Sequence, residues 1–536
     1  MGIAFAPRNS LIPGGAGDLR PEWQRPLGSE GARTRDTIVW VQAALCSAAL
    51  GIALWATRGV SPLNPDTPSY LYFDPSRTVG YPAFLWLVKL LAGHAAAAVP
   101  VQMSLLALSL CLLGRSFHDL VGRPRLSLAF QVFLLASPDL WRFSAELMTE
   151  ALATASVALW CAQLLQLIRR PSRRAYLPLA LISAVGMLVR PSLMVLFAGS
   201  AIAALLLKSR RQRASAVASL VPIGLGAYLL TPLALFVVHG SPVTASPVAR
   251  GILQHTLFCD HTVAAGDADG EFVDRDSAGV RQYLDSAPPD VGIALQHLYS
   301  APLRFDSIIP GLGRLHKAQA GWQTDSIVGR VARERLEANP LCYARSVLRN
   351  YWDLVTQDSL HVGAEGARVD QFMSAHPPVP IASEPPLPSD ARALQRAAAE
   401  LHVALPEAHI AIGRFGTKGS PLLLLVGRML YGATALVGLA CLATLITQWR
   451  KSFPARDVVA LAAMGLVFHA LFLGTAIVEL SLIRYTVPAW PIVCTTLTVV
   501  SAMLLRLRDQ SSATSSILGT ATTHQMAPTP ATAAVR

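Results

Sequence analysis

Long apolar runs with almost no charge recur along this chain, and no other feature limits its fold so strongly. A helix needs about 20 apolar residues to cross a bilayer. Runs of that kind lie at 37–57, 97–114, 126–138, 147–168, 175–190, 192–207, 215–238, 421–447, 457–478 and 484–505. The third is short and stops at Ser137-Pro138. Of the 536 residues, 15% are charged and 52% hydrophobic, where soluble domains carry about 25% charged residues. The sequence therefore predicts an all-α polytopic membrane protein with about ten transmembrane helices.

The net charge of +12 would ordinarily suggest nucleic acid as a partner. Here the arginines cluster in short loops between apolar runs, which is what orientation in a membrane demands, and no nucleic-acid partner is expected. One set of loops holds the N-terminal tail, Arg115/Arg123/Arg125, Arg169/Arg170/Arg173/Arg174, Lys208/Arg210/Arg211/Arg213, Arg450/Lys451/Arg456 and Arg506/Arg508. The alternate set holds residues 58–96 and 138–146, the Arg190-Pro191 corner, the segment 239–420 and the corner 479–484. Positive residues mark the first set as cytoplasmic, with both termini on that side. Residues 81–93 are too short for a further span and suit an interfacial helix.

The expected organisation is a disordered cytoplasmic tail at 1–36, a membrane module at 37–238 with its first outer loop at 58–96, an extracytoplasmic domain at 239–420, membrane helices at 421–508 and a second disordered tail at 509–536. The N-terminal segment does not read as a signal peptide, because the first apolar run ends without an A-x-A-like site. In the large loop, helical pattern appears near 289–299, 324–357 and 389–404. Leu341–Val355 suits either a basic amphipathic helix on the membrane surface or one packed on the loop's own core. Residues 376–390, with their proline pairs, read as a linker.

Of seven cysteines, Cys46, Cys111, Cys161, Cys441 and Cys494 lie in apolar runs as packing residues. Cys259 and Cys342 lie in the large loop, where an extracytoplasmic location leaves a disulfide open to them. His255, Cys259, Asp260 and His261 match no zinc module. The run Asp267 to Asp276 lacks the Gly and Glu of a calcium-binding EF-hand loop and reads as a solvated acidic loop.

Outside that loop, the outer face carries few ionisable groups. They are Asp66, Asp74, Arg77, Asp139, Arg142, Glu146, Glu150, Arg190, Glu479 and Arg484. Charges at the membrane boundary are costly unless paired or hydrated, so each is a functional candidate; the bland reading is snorkelling or a structural ion pair. Glu150 lies one turn inside a span, with Thr149 before it.

Asn-Pro-Asp66-Thr-Pro-Ser-Tyr70-Leu, followed by Arg77-Thr-Val-Gly80-Tyr81-Pro82, resembles the first outer loop of GT-C fold glycosyltransferases. The resemblance is to the bacterial relatives of protein O-mannosyltransferases and lipid A aminoarabinose transferases. Leu147-Met-Thr149-Glu150-Ala-Leu is similar to their second acidic site. Val189-Arg190-Pro191, Ala338-Asn-Pro-Leu-Cys-Tyr343 and Arg484-Tyr485-Thr-Val-Pro488-Ala-Trp-Pro491 resemble later elements. The residue after Asp66 is Thr67, where the protein mannosyltransferases have an Asp-Glu pair, so the acceptor stays open among lipid, glycan and protein.

The resemblance implies a GT-C type membrane enzyme with a large, mainly helical extracytoplasmic loop in a bacterial plasma membrane. It would transfer a sugar from a polyprenyl-phosphate donor, with membrane lipids as its surroundings. Asp66 is the expected base and Glu150 the second catalytic carboxylate, with Glu146 its rival. Tyr70, Arg77, Tyr81, Glu146, Arg190, Arg484 and Tyr485 are the expected substrate-binding residues, with Arg484 and Arg190 on the donor phosphate. No cofactor is required, and there is room for a divalent metal. The alternatives are a flippase or transporter of lipid-linked glycans, an O-antigen polymerase or ligase, and a degenerate GT-C scaffold.

Overall fold

The computed structural model describes residues 29–57, 63–64, 66–242, 247–259, 263, 266–288, 291–292, 295–296, 299, 303–318, 321–356, 364–377, 388–401, 421–448, 455–478 and 485–524. Among them there is no strand. The first helices are α1 (Ser29–Ala56), α2 (Thr67–Leu71), α3 (Gly80–Ala92), α4 (Ala98–Val121), α5 (Pro124–Leu135), α6 (Pro138–Ser144) and α7 (Glu150–Arg169). Then come α8 (Arg173–Val189), α9 (Val195–Ala203), α10 (Arg210–His239), α11 (Pro247–Thr256), α12 (Ala268–Asp285) and α13 (Ile309–Leu315). The rest are α14 (Gly321–Ala338), α15 (Pro340–Thr356), α16 (Ala364–Ala375), α17 (Pro388–Leu401), α18 (Pro421–Gln448), α19 (Arg456–Val478) and α20 (Trp490–His524).

Seven helical stretches among the described residues are long and apolar enough to cross a membrane: Asp36–Ala56, Ala95–Val121, Glu150–Arg169, Arg210–His239, Leu425–Gln448, Arg456–Val478 and Val487–Asp509. The chain is thus an all-α, multi-pass membrane protein. The other three expected spans form shorter helices: α5, α8, and α9 with its flanking 3-10 turns. At 1.5 Å per residue, the 12 residues of α5 reach about 18 Å, short of a hydrocarbon core of about 30 Å.

Helix α7 is the hub. It packs on α4, α8, α19 and α20, and its apolar surface is covered nearly all round. Trp160 at its centre donates to Ser200 Oγ at 3.0 Å, and Tyr176 of α8 donates to the carbonyl of Ser200 at 3.0 Å. Both bonds meet in α9, so polar side chains fix the register of three apolar helices. Helices α18 and α19 cross at a glycine pair, where a Cβ on Gly438 would stand 2.7 Å from the Gly465 Cα.

The large segment after α10 builds a core of its own from Leu253, Val273, Val280, Leu312, Val328 and Val331. Cys259 and Cys342 form a disulfide with their Cα atoms 5.9 Å apart, joining the end of α11 to the start of α15. The apolar side chains of α15 do not share one environment. Val347, Leu354 and Val355 join the core of the spanning helices, while Leu341, Leu348 and Trp352 stay exposed. It packs chiefly on α18 and α19, and also meets α11 and α14 of the large segment.

Several expectations need correction. Residues 267–276 are not a solvated acidic loop. Asp267 caps α12 by accepting from the Asp269 amide, and Asp269 is buried against His316 and Arg330. Asp274 pairs with Arg281 at 2.7 Å and with the buried Arg335 at 3.1 Å. Arg330 and Arg335 lie 61 residues from the carboxylates they meet, which is why the acidic run looked unpartnered. The pattern over 324–357 breaks at Asn339-Pro340 into α14 and α15. Helix α1 begins at Ser29, inside the expected N-terminal tail, and α20 runs on to His524, past Asp509. Residues 1–28 and 525–536 lie outside the described residues, as does most of the expected linker at 376–390.

Candidate functional site

A cavity of about 290 Å³ opens at one end of the helix bundle. Its walls come from the turn after α1, the start of α7, the end of α8, the end of α19, the turn before α20, and α11 in the large segment. Charged groups lining it are Asp66 and Glu150, against Arg77, Arg190, Arg250 and Arg304.

Asp66 sits at the head of α2, and Pro68 helps start that helix. The turn before it closes through the Asp66 amide donating to Asn64 Oδ1 at 3.1 Å, and the Asn64 amide donating to Thr67 Oγ1 at 2.8 Å. Thr67 Oγ1 in turn donates to the Leu147 carbonyl at 3.3 Å, tying α2 to the approach of α7. Arg77 returns over this turn. Its guanidinium reaches Asp66 Oδ1 at 2.8 Å, Ser69 Oγ at 2.7 Å and Tyr70 Oη at 3.1 Å, and lies over the Tyr70 ring at 4.4 Å. Burial pushes the Tyr70 phenol up from its ordinary value, so it stays protonated while its oxygen accepts from Arg77.

Glu150 is the first residue of α7, where the helix dipole favours an anion. It is 2% exposed. Arg190 Nη1 stands 3.5 Å from its Oε1, and the Arg190 guanidinium lies over the Tyr485 ring at 4.8 Å. Glu150 Oε2 is buried without a hydrogen-bond partner among the described residues, and so is Ser192 Oγ, which also lines the cavity. A buried polar atom left unpaired costs roughly 1–3 kcal/mol. Both residues line one cavity, which suits a ligand carrying hydroxyls.

Other expected residues stand further back. Tyr81 is fully buried, edge-on to Tyr70 at 5.1 Å, and donates to Gln102 Oε1 at 2.9 Å. Gln102 Nε2 donates to the carbonyls of Ser144 at 2.7 Å and Glu146 at 2.6 Å. Glu146 is not part of the lining; its Oε2 accepts from Asn64 Nδ2 at 2.8 Å and so braces the Asp66 turn. Tyr485 lines the cavity, whereas Arg484 and Glu479 lie outside the described residues. Asp139 and Arg142 line no part of it.

Arg250, Arg304 and Ser192 were missed as candidates. Arg250 Nε bonds Asp325 Oδ1 at 2.7 Å, and Arg304, 3% exposed, donates to the Arg250 carbonyl at 3.3 Å. The available signal was Gly251. A Cβ there would stand 2.5 Å from the Val478 Cα, so this glycine lets α11 press against the end of α19 and carry Arg250 to the site.

The metal patterns dissolve. Cys259 is in the disulfide, His255 Nδ1 meets Ser346 Oγ at 2.8 Å, and Asp260 and His261 lie outside the described residues. Burial pushes His255 down to about 4, which keeps it neutral. Among the described residues no group of three or more His, Cys, Asp or Glu side chains gathers to hold a metal ion. Comparison of the chain with protein-family models, curated proteins and solved structures finds no match.

Proposed function

We propose that the chain is a membrane glycosyltransferase of GT-C type, moving a sugar from a polyprenyl-phosphate donor to an acceptor hydroxyl on a lipid, glycan or protein. The observation that carries this reading is the cavity's charge pattern: four arginines and two carboxylates at one end of a spanning bundle. A prenyl chain needs lipid and a phosphate needs cations, and a cavity lined by four arginines at one end of a spanning bundle supports both needs. Arginine offers a planar fork that matches phosphate oxygens.

In the reaction, a carboxylate takes the proton of the acceptor hydroxyl as its oxygen bonds to the sugar's anomeric carbon. The bond from that carbon to the phosphate oxygen breaks, and the phosphate leaves with the electron pair. Fixed guanidinium charges stabilise it as negative charge builds. Asp66 is the proposed base, oriented by Arg77. Glu150, with its unbonded Oε2, is the proposed acceptor-hydroxyl ligand. Arg190, Arg250 and Arg304 face the phosphate.

The proposed topology has ten spans, counting α5, α8 and α9 with its turns, and both termini in the cytoplasm of a bacterial plasma membrane. The arginine-rich loops lie at the end of α7 opposite the site, which supports an extracytoplasmic site. The test is reconstituted enzyme with defined polyprenyl-phosphate sugars, alongside mass spectrometry of glycans and lipids from cells with and without the gene. Asp66→Asn keeps shape and removes basicity, and should slow transfer by roughly 100-fold with melting unchanged. Near-normal transfer by that variant rejects the base role. An unchanged glycan and lipid profile in cells lacking the gene rejects the glycosyltransferase reading.

A further inference from the structure

The second large cavity, about 450 Å³, lies at the opposite end of the bundle, between the last turns of α4 and α7 and the first turn of α8. Three arginines line it, Arg115, Arg169 and Arg170, against the single carboxylate of Asp119. Asp119 is engaged by Arg169 at 3.3 Å. Arg115 and Arg170 are exposed and make no ion pair among the described residues.

What lies beyond the cavity is apolar. Leu112 on its wall begins a stripe of exposed side chains that continues along α4 through Leu108 and Leu105, at helical spacing. On the other side, the start of α8 closes the wall with Ser172 and Ala175. Helix α7 packs against both helices. A basic pocket thus opens onto an apolar rail running along α4. Free phosphate would use the pocket alone and leave the rail without a role.

We infer that this cavity holds the headgroup of an anionic phospholipid, with Arg115 and Arg170 on its phosphate and an acyl chain along the α4 stripe. Charge complementarity sets the occupant, since a zwitterionic headgroup would bring a cation to a wall already in positive surplus. The inference does not rest on the proposed glycosyl transfer, because the cavity lies at the other end of α7.

The test uses the full chain in bilayers of equal parts phosphatidylcholine and phosphatidylglycerol, with retained lipid counted by native mass spectrometry. The parent should keep phosphatidylglycerol over phosphatidylcholine. Arg115→Gln/Arg170→Gln should lower that preference roughly 25-fold, since each of the two basic residues at an anionic surface contributes a factor of about five. Ala175→Trp fills the cavity without changing charge and should lower it too, so the inference stays testable if the double variant folds poorly. Arg210→Gln/Arg211→Gln, at the start of α10 and outside the cavity lining, should keep the parent's preference. An unchanged preference in both cavity variants overturns the inference. So does an equal loss in the Arg210/Arg211 control, which would mean diffuse surface charge, or displacement of the lipid by millimolar inorganic phosphate.

Discussion

Arg190 serves two neighbours at once: the Glu150 carboxylate at 3.5 Å and the Tyr485 ring at 4.8 Å. The two duties separate by substitution. Arg190→Ala leaves a buried carboxylate unpaired and should cost roughly 3 kcal/mol of stability, read as lowered melting. Arg190→Lys keeps the charge and loses the fork, so it should melt near the parent while weakening donor binding about tenfold. Donor binding and turnover equal to the parent in the Lys variant would leave Arg190 a structural partner of Glu150 only. Asp66, Glu150, Arg77 and Arg190 were legible in the sequence, because a charge at the edge of an apolar run is expensive without a task. Arg250 and Arg304 were not. They come from a polar segment where one arginine looks like another until folding brings α11 against α19.

At the scale of elements, the helices followed from apolar run length, and their ends from local chemistry. Ser172 starts α8 by accepting from the Ala175 amide at 3.1 Å, and Gly93 ends α3 at φ +83°. The face of α15 was harder to read, since packing and lipid both select apolar side chains. The seating of α3 shows what a single atom controls. A Cβ on Gly80 would stand 2.5 Å from the Leu188 carbonyl oxygen, and Thr78 Oγ1 donates to the Val189 carbonyl at 3.2 Å. Gly80 thus lets the strap bearing Arg77 lie against the end of α8, beside Arg190. Gly80→Val should overpack this contact, costing about 1–3 kcal/mol, and slow transfer beyond what lowered melting explains. A Cβ on Gly51 would meet nothing within 4 Å, so Gly51→Val serves as the control. Equal melting and transfer for the two variants would show that α3 accommodates the side chain freely.

For the whole molecule, the short helices decide sidedness. Seven crossings would leave the termini on opposite sides, whereas ten leave them together. Reporter fusions at Arg211 and at Gly366 should report opposite sides of the membrane, with the Gly366 fusion outside; the same side for both would overturn the ten-span topology and the outer placement of the site. The disulfide adds an order in time. Cys259 leaves the ribosome 83 residues before Cys342, so for that interval α11 and its Arg250 are unlatched from α15. The first carboxylate and its arginine are encoded well before this latch, and Tyr485 well after it. The site is therefore finished late, from pieces made at three stages of synthesis, and the second of them depends on an oxidant from outside the chain.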